Sequence, residues 1–128
     1  MATEVVSALR TFSSSWLQSS VSAAFGTAAK LIGTAAKATA LGQVTLVSTG
    51  VAAYFVQIHN KATAPVNTDV PAWVGWVAIG GTVTMDFSTL GGLNCPLGCY
   101  IAISSTAGTL TLAMADAAVV SALYAQAP

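Results

Sequence analysis

Charge is what this sequence has least of. Only 6% of its 128 residues are Asp, Glu, Lys or Arg, against roughly 25% in ordinary soluble domains. The charged positions are Glu4, Arg10, Lys30, Lys37, Lys61, Asp69, Asp86 and Asp116, they sum to zero, and His59 is the one histidine. Several function classes fall with them. Without basic runs there is nothing to neutralise a phosphate backbone, so nucleic acid is excluded as a partner. The carboxylates stand apart in sequence, with no pair for acid–base work. No phosphate loop and no dinucleotide fingerprint occurs. No cofactor is expected, nor any catalytic residue, because His59 is the sole ordinary base and has no partner nearby in sequence. Metal binding is not expected either: one distant His and two Cys cannot complete a structural zinc site. Asn67 and Asp69 offer too few of the about six to eight oxygens that calcium takes.

Long unbroken apolar runs are missing too, although 55% of the residues are hydrophobic and mean hydropathy is +0.74. A spanning helix needs about 20 consecutive, mainly apolar residues. The uncharged stretch 87–115 is interrupted by Gly91, Gly92, Asn94, Pro96, Gly98, Ser104, Ser105 and Gly108, and 38–60 by Gly42, Gln43, Thr45, Ser48 and Gly50. That is turn chemistry, so no membrane span is expected. No basic segment precedes an apolar run near Met1, and no secretory signal is expected. A folded monomer covers itself with the ionic residues least willing to be buried. Here the exterior must be Ser and Thr, or be covered by other subunits. Charge is depleted at interface cores, which favours a homo-oligomer or larger assembly.

What is present divides near residue 40. Residues 1–40 are rich in Ala, Ser and Thr and carry a short echo, Gly26-Thr-Ala-Ala-Lys and Gly33-Thr-Ala-Ala-Lys. Val5, Leu9, Phe12 and Trp16 fall at helical spacing, but Ser13, Ser14 and Ser15 compete with helical bonding. This segment is read as an N-terminal arm, extended or partly helical, with Phe12 and Trp16 as contact residues.

Residues 41–128 read as strand and turn. Tyr54, Val56 and Ile58 alternate with Phe55, Gln57 and His59, the period of a strand. Residues 61–71 form a loop broken by Pro65 and Pro71, and 72–79 a strand holding Trp73 and Trp76. Those two indoles, three apart, point to opposite faces; one belongs to the core and the other to a contact. Gly80-Gly81 turns the chain into 82–87, with Val83, Met85 and Phe87 inward and Thr82, Thr84 and Asp86 outward. Residues 90–98 are read as a loop, and 99–104, 109–113 and 117–125 as further strands. Turns at this spacing predict an all-β fold, an antiparallel β-sandwich with jelly-roll-like order. Cys95 and Cys99 flank Pro96 and Gly98. They are either a disulfide closing a small loop or two reduced, half-buried thiols, with redox compartment deciding.

Three blocks carry a family resemblance: Ala53-Tyr-Phe-Val-Gln-Ile-His-Asn-Lys-Ala-Thr-Ala-Pro-Val, Gly80-Gly-Thr-Val-Thr-Met-Asp-Phe, and Gly98-Cys-Tyr-Ile-Ala-Ile-Ser-Ser-Thr-Ala-Gly-Thr-Leu-Thr-Leu. In this order, residues 37–112 resemble a β-sandwich domain of tailed-bacteriophage virion proteins. They depart from the pattern at Cys95 and Cys99, and the arm matches only loosely. The resemblance implies a virion location and a non-enzymatic structural role. The expected role is capsid decoration, with other virion proteins such as the major capsid protein as partners. The alternative is a receptor-binding fibre or spike module recognising a glycan. Phe55, His59, Trp73 and Trp76 join Phe12 and Trp16 as interface candidates.

Overall fold

The computed structural model describes residues 17–21, 29–48, 53–87, 91–112 and 118–126. Every regular element among them is a strand: β1 (Leu17–Val21), β2 (Lys30–Ile32), β3 (Thr39–Ser48), β4 (Tyr54–Asn60), β5 (Trp73–Val77), β6 (Thr82–Asp86), β7 (Leu93–Cys95), β8 (Cys99–Ser104) and β9 (Ala118–Gln126). They form two antiparallel sheets, a β-sandwich. One runs β1-β9-β3-β6, with β7 also on β3, and the other β2-β8-β4-β5. The pairings are nested: β1 with β9, β2 with β8, β3 with β6 and β4 with β5. The chain is therefore one long ribbon folded back on itself. Rolling that ribbon brings β9 onto β3 and β8 onto β4.

The alternating residues of the two sheets meet as a single core. Leu41, Val44, Leu46, Met85, Cys95 and Val120 come from the first sheet, and Ile32, Val56, Ile58, Val77, Cys99, Ile101 and Ile103 from the second. In β3 the positions facing the core change parity, from Thr39 and Leu41 to Val44 and Leu46, which oppose Gln126, Tyr124, Ala122 and Val120 of β9. A strand cannot do this without an extra residue, since its side chains alternate strictly. The register against β9 shifts between Leu41 and Gln43, so Gly42 is a bulge that resets the inward face. Its carbonyl then accepts the Phe87 N–H at 2.7 Å.

The structure differs from three of the sequence expectations, for residues 1–40, 90–98 and 109–113. The boundary drawn at residue 40 falls inside β3, and β2 lies in the sandwich rather than in an arm. The segment 90–98, read as a loop, contains β7, which completes the side of β3 that β6 leaves open. Residues 109–113, read as a strand, supply only an isolated bridge from Leu112 to Ser104. The expected arm contacts of Phe12 and Trp16 lie outside the described residues.

Candidate functional site

Strand β4 is central in its sheet and presents Phe55, Gln57 and His59 to the face away from the core. Such a face normally meets water. Here Gln57 and His59 are completely buried, because two loops fold over it. Residues 61–72 and 105–112 are laced together: the Thr68 N–H donates to the Leu110 carbonyl at 2.8 Å and the Leu110 N–H to the Asp69 carbonyl at 2.7 Å. The Leu112 N–H donates to Asn67 Oδ1 at 2.9 Å. Leu110 is buried beneath them.

Gln57 anchors the lid. Its Nε2 donates to the carbonyls of Thr106, Ala107 and Thr109 at 2.9, 3.2 and 3.0 Å. An amide nitrogen has two hydrogens, so one is shared. With Nε2 spent on carbonyls, Gln57 Oε1 is the acceptor, and His59 Nε2–H donates to it at 2.8 Å. That fixes the neutral tautomer and leaves His59 Nδ1 buried without a partner. Burial lowers the His59 pKa, Asp69 opposes that shift, and Lys61 adds to it. Protonation would create a buried N–H with no acceptor.

The second loop is held by its own pair. Lys61 Nζ donates to Asp69 Oδ2 at 2.6 Å, and the Val66 N–H donates to the same oxygen at 2.9 Å. The Lys61 hydrogen bond, then that of Val66, hold the Asp69 carboxyl below the usual carboxylate range. The Gln57 amide nitrogen and the Lys61–Asp69 pair are engaged in holding the loops down. Nothing in the cluster is arranged as a nucleophile with a base, and among the described residues no three His, Cys, Asp or Glu side chains gather as a metal site.

The interface candidates separate by face. The Trp73 ring packs on the core, edge-on to Phe87 at 5.4 Å between centroids, and a Cβ on Gly75 would lie 2.6 Å from it. Trp76 is on the other face, 54% exposed, with Phe55 edge-on at 5.0 Å. His59 is not available to a neighbouring subunit, which corrects its reading as a contact residue: the loops already cover it. Phe55 is half-buried beside Trp76. Cys95 and Cys99 are free thiols and both are completely buried rather than half-buried. The hydrogen bond between them lowers the Cys95 pKa and raises that of Cys99, which burial raises further. Sequence reasoning passed over Gln57, although polar residues at i and i+2 on one face of an apolar strand were its signal.

Among the described residues, the outer face of the first sheet is open along β6 and the adjoining part of β3, while Ala40 and Ala125 toward its other end are buried. Gln43, Val47, Thr82, Thr84, Asp86 and Val119 are exposed along it, and Thr45 and Thr84 share a hydroxyl hydrogen bond at 3.3 Å. Asp86 is the one ionic side chain among these. No described helix is long and apolar enough to cross a membrane. No protein-family model matches the chain, and no curated protein is similar to it.

Proposed function

We propose that this chain is a non-enzymatic structural subunit of a bacteriophage particle, decorating or stabilising the capsid by packing against copies of itself and against other virion proteins such as the major capsid protein. One observation carries the reading: among the described residues, the exposed part of the outer sheet face, Gln43, Val47, Thr82, Thr84, Asp86 and Val119, bears a single ionic residue, Asp86. A face of this kind costs little to desolvate, since burying unpaired charge is what makes interfaces expensive. The two strand orders and their nested pairs support a jelly roll with β7 added between β6 and β8. Jelly rolls recur in viral capsid and lectin domains, and that likeness is one of fold alone. The phage assignment rests on the three sequence blocks, all within residues 37–112.

The exposed Trp76 supports the second reading, a fibre or spike module that stacks a sugar ring. The polar partners such a site needs, Asn67 and Asp69, are tied into the loop lacing, which leaves decoration the better reading. Quantitative mass spectrometry of purified particles separates the two. Hundreds of copies support decoration, and a few dozen or fewer support a fibre or spike. Absence of the chain from the particle it is encoded with refutes both.

A further inference from the structure

Strand β5 is an edge of its sheet, and among the described residues its one strand neighbour is β4. Natural edges are guarded by charge, proline, shortness or a cover, because an open row of N–H and C=O groups recruits other strands. The edge strand β2 is only three residues long and holds Lys30, and β6 ends in Asp86. Strand β5 reads Trp73-Val74-Gly75-Trp76-Val77, with no charge and no proline. Its flanks Ala72, Ala78 and Ile79 add none, and Ile79 is largely exposed.

The sequence of this edge is complementary to itself. Turned antiparallel about Gly75, Trp73 opposes Val77 of the second copy, Val74 opposes its Trp76, and glycine opposes glycine. Every pair with side chains is then aromatic against β-branched, the favoured cross-strand combination. At the centre, where a two-fold axis sets like against like, there is no side chain to collide. Val74 and Trp76 lie on the outer face and are both exposed, so their partners can be added without opening the core. We propose that β5 pairs with β5 of a second copy of this chain in that register, joining two four-stranded sheets across a two-fold axis.

This deepens the assembly reading and rests on it. A five-residue strand falls short of the roughly 800 Å² per partner of a standard interface. The contact is therefore weak alone and one of several that each copy makes.

The test is a charge exchange read by sedimentation velocity over a concentration series. Wild type forms a concentration-dependent dimer or larger species. Val74→Lys and Trp76→Glu each place an uncompensated charge against an apolar partner and weaken association by about tenfold or more. Mixing the two single variants, or combining them in one chain, sets Lys against Glu at the paired positions and restores association. Circular dichroism checks that each variant is folded. Should one not fold, amide exchange in wild type gives the same decision: protection at residues 73–77 rises with concentration. Single variants that associate like wild type, a mixture that does not recover, or exchange independent of concentration each overturn the β5 contact and leave the assembly reading standing. Wild type that stays monomeric at every concentration overturns both.

Discussion

Changing Gln57 to Glu preserves the size of a buried side chain and removes both of its N–H donors. The carbonyls of Thr106, Ala107 and Thr109 then lose their shared partner. Thr109 is the least affected, because its oxygen also receives the Thr106 hydroxyl at 2.6 Å. The carbonyls of Thr106 and Ala107 bear the loss. Both bonds are only partly buried and Thr106 is exposed, so water replaces part of what is lost and the two together cost about 1–3 kcal/mol. The introduced carboxyl faces carbonyl oxygens at a buried position, which disfavours its ionised form and raises its pKa. Set against a total stability of about 5–15 kcal/mol for a domain, the variant is expected to be folded but weakened. Denaturant unfolding followed by Trp fluorescence measures this as a lower midpoint with a similar slope. The deficit shrinks as pH falls and the new carboxyl takes up a proton. A variant within about 0.5 kcal/mol of wild type, the range of ordinary surface substitutions, refutes the idea that Gln57 pins the loop.

Three further outcomes follow from the same geometry. The folded state resists the proton that an unfolded His59 accepts at its ordinary 6.5. Stability is therefore complete above 6.5 and declines as pH falls below it. Asp69 contributes a later loss, below its ordinary 3.8, so a midpoint that is flat between pH 6.5 and 4.5 contradicts the buried neutral imidazole. Gly98 has φ +141°, and a Cβ there would stand 2.5 Å from the Lys61 carbonyl oxygen. Gly98→Ala is expected to cost at least about 2 kcal/mol, and a melting temperature equal to that of wild type argues against it. Cys95 and Cys99 are buried thiols. An aromatic disulfide reagent should therefore modify them only at the rate of unfolding, and prompt reaction in buffer would show that this end of the core is open.

The parts of the fold that were legible in the sequence are those set by local alternation. Strand β6 reads correctly because Val83 and Met85 alternate with Thr82, Thr84 and Asp86. The three-residue spacing of Trp73 and Trp76 is enough to send one indole to the core and the other outward. Local pattern fails where pairing is distant. Strand β2 has only three residues and gains its partner β8 from about seventy positions away. Strand β7 lies among glycines, Asn94 and Pro96, residues that signal turns. The parity change at Gly42 disguises the first half of β3. Least legible was the burial of Gln57 and His59. Alternation placed them on an outer face, and only the lacing of 61–72 to 105–112, distant in sequence, turned that face into an interior.

On the proposed function, outer faces poor in charge are covered by other subunits. The native mass of the purified full chain, read by multi-angle light scattering from dilute to concentrated solution, tests it most directly. The account predicts a mass that climbs to whole multiples of the 12.8 kDa chain. A mass fixed at 12.8 kDa across the whole range, with the protein clear and soluble, contradicts it.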